Sequence, residues 1–204
     1  MGLLSSRVSI TRYKVEGKLS APVIETVSGA LKKNAIIEID EDVSERSVGW
    51  TSFGNPFKPD FDGSSFSIGD HFIFSMRIDK KTISSKLIKK YCAIEMEKEL
   101  SEKGQVYLSK NEKKLIKERV AKVLGLRIPA TPNIYDLIWN YEESSLWFFS
   151  NLKSPNEELE TLFSKSFKLT LIRLFPYTFG ELMAGLSPTE RDALSQLSPT
   201  KFAG

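Results

Sequence analysis

Residues 71–78 read His71-Phe72-Ile73-Phe74-Ser75-Met76-Arg77-Ile78. Large apolar side chains occupy every second position of this stretch, from Phe72 to Ile78. Because successive side chains of a β-strand point to opposite faces of its sheet, this alternation predicts a strand with one face in the core. The fold therefore contains a sheet, and the flanking sequence decides what packs on it.

Two amphipathic helices are predicted directly after this strand. The first begins near Ser84. The second begins at the run Ser109-Lys110-Asn111-Glu112, a capping box in which the serine hydroxyl and the glutamate carboxylate satisfy free backbone amides of the first turn. Apolar residues at helical spacing form the predicted inner faces, which are Leu87, Tyr91 and Ile94 on the first helix and Ile116, Val120, Val123 and Leu124 on the second.

Further elements are predicted on the C-terminal side of these helices. Strands over 134–141 and 146–149 form a hairpin around Glu142-Glu143-Ser144-Ser145. A helix opens on a second capping box at Ser154 and runs to Lys165, and a strand covers 167–175. A short helix over 188–197 lies between two Leu-Ser-Pro-Thr repeats.

The N-terminal side carries a strand over 8–15 and a helix that Ser20 caps and Asn34 ends. Residues 49–69 are rich in glycine, proline and aromatic residues and are predicted to form an extended loop. Strands, hairpins and helices without a regular βαβ order indicate an α+β fold with mixed or antiparallel sheets and packed helices.

The composition excludes several classes of protein. A single cysteine, Cys92, cannot form a disulfide framework or a zinc cluster within one chain, which favours a reducing, cytoplasmic location. His71 is the only histidine, so a Ser-His-Asp or His-rich metal site is not expected around it. No apolar run approaches the roughly 20 residues that a membrane span requires, so no membrane partner is expected.

Positive charge is concentrated in one segment of the chain. The formal net charge is only +3, but residues 80–127 hold 14 Lys/Arg against 6 Asp/Glu, a net of +8. An anionic partner such as duplex DNA is expected on this basic helical segment, although the same lysines could simply solvate exposed helix faces. The candidate contacts are Lys86, Lys89, Lys90, Lys110, Lys113, Lys114, Lys117, Arg119, Lys122 and Arg127.

The aromatic loop offers a rival interpretation. Between Trp50 and Phe66 the chain holds five aromatic residues, Trp50, Phe53, Phe57, Phe61 and Phe66. Their simplest role is to seal the core beneath the loop, which is the interpretation we favour. The alternative is a surface that docks a protein partner in recombination or defence without binding DNA.

No catalytic constellation emerges from the sequence. The nearest pattern is Pro59-Asp60 followed by Glu112-Lys113-Lys114, which resembles the carboxylates and lysine of metal-dependent nucleases. Those nucleases carry their second carboxylate on a strand, whereas Glu112 fits the return arm of a helix cap. We therefore expect no enzyme activity, no cofactor and no metal site.

The set of motifs resembles the bacterial recombination-associated RdgC family, whose members are also described as exonucleases. The similarity covers residues 1 to about 176. It rests on Val48-Gly49-Trp50, the strand Phe72 to Arg77, the lysine-rich helix from Ser84, the run Leu108 to Val120 and the triplet Leu137-Ile138-Trp139.

The resemblance implies a nucleoid-associated protein that binds double-stranded DNA without sequence specificity and restrains recombinase loading. In that family a homodimer forms a ring with a basic inner surface. The family's C-terminal third has no counterpart after Phe175, so a homodimer is expected here but ring closure is left open. We accordingly divide the chain into an RdgC-like α+β region, 1–176, with its basic segment 80–127, and a short helical tail, 177–204.

Overall fold

A single antiparallel sheet forms the centre of the molecule. The computed structural model describes residues 2–198. Within them lie the strands β1 (Thr11–Glu16), β2 (Arg46–Thr51), β3 (Ser67–Ile68), β4 (His71–Lys80), β5 (Thr131–Asn140), β6 (Ser145–Phe148) and β7 (Thr170–Arg173). Their order across the sheet is β2-β4-β5-β6-β1-β7, and the short β3 pairs with the start of β4.

Helices pack on this sheet or project from it. They are α1 (Val23–Lys33), α2 (Ser85–Lys103), α3 (Lys110–Arg127), α4 (Lys153–Phe167), α5 (Pro176–Met183) and α6 (Pro188–Ser195). The fold is therefore α+β, as predicted. None of the helices in the described part of the chain is both long and apolar enough to cross a bilayer.

The alternation predicted for residues 72–78 is confirmed in β4. Phe72, Phe74 and Met76 are fully buried on one face of the sheet. Their neighbours on β5 face the same way, because Phe72 pairs with Trp139 and Phe74 with Leu137 in the antiparallel register. Burying side chains of this size contributes roughly 1.5–3 kcal/mol each, so this strand pair anchors the main core.

Helices α1 and α4 cover that face of the sheet. Val27 and Leu31 of α1 lie in the same buried cluster as the sheet residues. From α4, the ring of Phe163 lies 4.9 Å from that of Trp139, and the ring of Phe167 lies 5.1 Å from it, centroid to centroid. Edge-on and tilted ring pairs of this kind add to the free energy gained by burial alone.

The opposite face of β4 carries a buried polar network instead of apolar side chains. Arg77 donates to both carboxylate oxygens of Asp79, at 2.7 and 2.6 Å, and to both oxygens of Glu38, at 2.9 and 3.1 Å. Ser75 donates to Asp136 on β5 at 2.7 Å. Because these groups satisfy one another, the strand tolerates polar residues on a covered face.

The N-terminal elements are shorter than predicted. The first strand begins at Thr11, not at Val8, because the register with β6 ends where Thr11 pairs with Phe148. Helix α1 begins at Val23, since Pro22 is extended with a ψ of 133°, and Ser20 does not cap it. The carbonyl of Ser20 instead accepts a hydrogen bond from the Thr26 hydroxyl at 2.9 Å.

The second predicted capping box is wrong. Helix α4 begins at Lys153 with Leu152 at its N-cap, so Ser154 already lies in the first turn. The helix also continues to Phe167, whose ring packs on Trp139, and it ends at Lys168 in the left-handed conformation with φ 58°. The strand predicted over 167–175 therefore shrinks to Thr170–Arg173.

The helical character of the tail is confirmed for its described residues. Helix α6 lies close to the predicted 188–197, and its capping box joins Ser187 to Glu190. Helix α5 was not predicted. The second Leu-Ser-Pro-Thr repeat extends past Ser198, so its end and the rest of the tail, 199–204, lie outside the described residues.

Candidate nucleic-acid interface

Helices α2 and α3 form a hairpin with its own small core. Ion pairs from Lys103 to Glu112 and from Arg119 to Glu95 join the two helices and show that they run antiparallel. The buried residues of this core are Cys92, Leu108, Ile116, Val120 and Leu124. Because these side chains hold the helices together, the outer faces of the hairpin need no further cover.

The predicted inner faces are correct except at two positions. Ile94 and Val123 are exposed. On α2 the contact follows a spacing of four residues through Ile88, Cys92 and Met96. Ile94 lies two residues, or about 200°, from both Cys92 and Met96, so it falls on the opposite side of the helix from this row.

The capping box at Ser109 is confirmed and fixes the start of α3. The Ser109 amide donates to Glu112 Oε2 at 2.8 Å, and the Glu112 amide donates to Ser109 Oγ at 3.3 Å. The hydrogen bond from the Ser109 backbone, then that of its side chain, and then the bond from Lys103 lower the pKa of Glu112 to about 2. Glu112 thus holds a helix terminus, as predicted.

All ten predicted contact residues are exposed. Two of them are close to a carboxylate of the described chain. Arg119 lies between Glu95 and Glu99, at 3.2 and 3.0 Å, and Lys114 lies 3.8 Å from Glu118 in its own helix. Among residues 2–198, no carboxylate approaches the other eight cations within 4.0 Å. These eight are Lys86, Lys89, Lys90, Lys110, Lys113, Lys117, Lys122 and Arg127.

The antiparallel arrangement sorts the exposed cations into two groups. The base group lies where the hairpin joins the sheet and contains Lys86, Lys89, Lys90, Lys122 and Arg127. The tip group lies in the distal half and contains Lys110, Lys113, Lys114 and Lys117. Between them, Arg119 is neutralised by Glu95 and Glu99. The charge is therefore concentrated at the two ends of the hairpin.

Not every cation within a group faces the same way. At 100° per residue, Lys110, Lys114 and Lys117 fall within about 60° of one another on α3, a single stripe. Arg119 lies on the opposite side of that helix, toward the acidic residues of α2. Lys86 and Lys90 are one turn apart on α2 and share its outer face. The structure thus brings together parts of the predicted set, while Arg119 is held apart.

The pKa of Glu99 shows how the middle of the hairpin is neutralised. Hydrogen bonds from Lys103 and then from Arg119 lower the pKa of this carboxyl group. In return, Glu112 and then Glu99 raise the pKa of Lys103. Each charge in this cluster already has a partner, so it is poorly placed to attract phosphate.

Three of the five aromatic side chains between Trp50 and Phe66 are buried and so are not available to dock a protein partner. Trp50 belongs to strand β2 instead of the loop, and its indole nitrogen donates to Ser166 Oγ at 2.8 Å. Phe61 and Phe66 are buried in the main core. Phe57 is exposed, and the guanidinium of Arg77 lies 5.2 Å from its ring centroid. The prediction that the aromatic residues seal the core is thus confirmed for Trp50, Phe61 and Phe66.

Metal-ligating side chains do not gather in the described part of the chain. Between residues 2 and 198 there is no group of three or more His, Cys, Asp or Glu side chains that could hold a metal ion. His71 lies on β4, with Asn140 Nδ2 3.4 Å from its Nε2 atom.

Sequence reasoning missed two features of the hairpin. Val106 and Tyr107 are strongly exposed at its tip. The sequence signal for them was a pair of adjacent apolar residues in the short connection before the Ser109 cap, a place where polar residues are usual. The other feature is Lys81, which is buried at the hairpin base and donates to three backbone carbonyls, a role that no local pattern reveals.

Comparison with known proteins leaves the family assignment open. A scan of protein-family models finds none that matches this chain, and a search of curated proteins finds no significant match. The resemblance to the RdgC family therefore stays a prediction from the sequence.

Proposed function

We propose that this protein binds double-stranded DNA without sequence preference and that the α2–α3 hairpin supplies the phosphate contacts. One observation carries the proposal. Eight of the ten predicted cations are exposed with no carboxylate within 4.0 Å in the described chain. Such side chains release condensed counterions when they contact phosphates, which drives binding without any reading of the bases.

The alternative that these lysines only solvate the helices is less favoured by their distribution. The hairpin, residues 85–127, contains 12 Lys/Arg and 6 Asp/Glu. A helix surface that needs only solubility mixes both signs along its length. Here Glu95 and Glu99 converge on Arg119, while the base and tip groups remain cationic. This separation produces two positive ends that a duplex could bridge.

The biological role that we propose follows from the resemblance. A protein of RdgC type would cover duplex DNA in the nucleoid and restrain the loading of a recombinase. A homodimer would place two hairpins on one duplex, which raises the effective concentration of the second after the first has bound. No reaction is required for this role, and no cofactor or metal takes part in it.

Salt titration of the full chain tests the proposal. Two 30-base-pair duplexes of unrelated sequence should bind equally well, and the DNA should be recovered intact in the presence of Mg²⁺. If about six phosphates are contacted, the logarithm of the affinity should fall against the logarithm of the salt concentration with a slope of roughly −5. Absence of binding at low salt, or a slope near zero, would overturn the proposal.

A further inference from the structure

The distal end of the hairpin presents two apolar side chains to solvent. Helix α2 ends at Gly104, which adopts a left-handed conformation with φ 61° and turns the chain away from the helix axis. The next large side chains, Val106 and Tyr107, are 95% and 80% exposed, whereas Leu108 is buried between the helices. Leu108 thus anchors this loop to the hairpin core, while Val106 and Tyr107 are exposed to solvent.

The charges beside this tip favour a polyanionic partner. Lys110 and Lys113 begin α3 directly after the tip, and no carboxylate of the described chain lies within 4.0 Å of either. Two acidic residues lie near the tip: Glu112 is engaged by Lys103 and the Ser109 amide, and Glu102 lies 3.9 Å from Lys98 in its own helix. An apolar pair bordered by unpaired lysines matches the bases and phosphates of a nucleic acid better than it matches a protein pocket.

The dimensions of the hairpin determine which part of it can enter DNA. Two packed helices are roughly 20 Å across, because their axes lie about 8–10 Å apart and each helix extends about 5 Å beyond its own axis. The major groove is only about 12 Å wide and the minor groove about 6 Å. The two helices therefore cannot enter a groove side by side, whereas the loop with Val106 and Tyr107 is narrow enough to reach the bases.

We propose that Val106 and Tyr107 form an insertion tip that enters DNA where bases are unpaired or easily unstacked. The ring of Tyr107 would stack on an exposed base, and Val106 would fill the space beside it. Proteins that insert apolar wedges do so at the cost of unstacking a base step, and that cost is small where the bases are already unpaired. This inference rests on the proposed DNA binding and adds a preference for distorted duplexes.

The test compares a matched 30-base-pair duplex with the same duplex carrying a three-base bubble that contains 2-aminopurine. The parent protein should bind the bubble at least about fivefold more tightly, because stacking one base on an aromatic ring is worth that much or more. It should also quench the 2-aminopurine fluorescence. A Val106→Ser/Tyr107→Ser variant should bind both duplexes equally and keep the parent salt slope, while Tyr107→Phe should keep the preference.

Ile94 and Leu115 provide the matched control. Both are exposed apolar residues of the same hairpin but lie on its helices. An Ile94→Ser/Leu115→Ser variant should therefore retain the preference for the bubble. Far-UV circular dichroism would show that all variants keep their helices.

Each contrary result identifies which idea fails. If the parent shows no preference, or the tip variant keeps it, the insertion tip is wrong and phosphate binding stands. If the parent binds neither DNA, both proposals fail. If sedimentation shows a parent dimer that becomes a monomer in the tip variant while the preference persists, the tip is a contact between copies and not an insertion site.

Discussion

Lys81 Nζ donates a hydrogen bond of 2.7 Å to the backbone carbonyl oxygen of Gly125. Gly125 lies in the last turn of α3, and the residue four positions later is Pro129, which has no amide hydrogen to offer that carbonyl. The same ammonium donates to the carbonyl oxygens of Asp40 and Asp42 at 3.0 and 2.8 Å. Lys81, the residue that follows β4, thus satisfies a free carbonyl in the last turn of α3 and ties the hairpin base to Asp40 and Asp42.

Lys81→Met should destabilise the protein substantially. The substitution keeps the apolar stem but leaves three carbonyl groups without their donor, which should lower the free energy of unfolding by at least about 2 kcal/mol. Urea denaturation measures the loss. Lys80→Met is the matched control, because Lys80 is exposed and should change stability by no more than about 0.5 kcal/mol. Equal stability of the two variants would contradict this role for Lys81.

Gly49 and Gly29 should respond oppositely to alanine. A Cβ atom at Gly49 would lie 2.5 Å from both N and Cα of Ile36, and that backbone is held by a bond of 2.9 Å from the Ile36 amide to the Trp50 carbonyl. Gly49→Ala should therefore cost at least about 2 kcal/mol. Gly29 lies exposed inside α1 with open space around it, so Gly29→Ala should stabilise by roughly 0.5–1 kcal/mol.

Thermal or urea unfolding of both alanine variants checks the pair. If Gly49→Ala proved as stable as the parent, the contact between β2 and residues 34–36 would be looser than the structure indicates; if Gly29→Ala were destabilised, the prediction for α1 would be wrong.

Local sequence patterns were sufficient to predict strand β4 and the start of helix α3. The alternation in β4 and the capping box at Ser109 each depend on residues close in sequence, and both predictions are confirmed. The second box failed because the helix already begins at Lys153, where the Leu152 carbonyl accepts from the backbone amide of Asn156 at 3.3 Å and from its side-chain amide at 2.7 Å.

The candidate interface was predictable in composition but not in arrangement. Counting charges located the basic segment, yet the neutralisation of Arg119 depends on Glu95 and Glu99, which lie 24 and 20 residues away in sequence. Only the packing of α2 on α3 brings them together. The same packing places Lys86 and Lys110 at opposite ends of the hairpin, although both belong to one basic segment.

The contribution of Glu112 to stability should disappear in acid. Its folded pKa of about 2 lies below the ordinary 4.5, so its stabilisation is present above pH 4.5 and is lost as the pH falls through 2. The parent should therefore melt at a higher temperature than Glu112→Gln near neutral pH, and the difference should shrink between pH 4.5 and 2. Glu97→Gln is the control, since no side-chain hydrogen bond or ion pair of the described chain involves that exposed residue. A constant difference across this range would contradict the prediction.

Reversal of the tip stripe should weaken DNA binding without unfolding the protein. Lys110, Lys114 and Lys117 are exposed on one face of α3, away from the buried Ile116 and Val120. Replacing all three with Glu should reduce the affinity for every duplex alike, and the salt slope should become shallower by about one for each phosphate that the hairpin no longer neutralises. Surface substitutions of this kind usually change stability by no more than about 0.5 kcal/mol each, so the melting temperature should shift little.

A variant with the same change of net charge separates a local contact from a general electrostatic effect. Lys18, Lys33 and Lys58 are exposed outside the hairpin, and reversing them to Glu also alters the charge by six units. If the hairpin holds the phosphates, this control should keep nearly the parent salt slope, because a diffuse charge far from the contact is screened over a Debye length of about 8 Å at physiological ionic strength. Equal loss of affinity in both triple variants would show that net charge, and not the stripe on α3, governs binding. A folded stripe variant with the parent affinity and slope would remove this surface from the DNA-binding site.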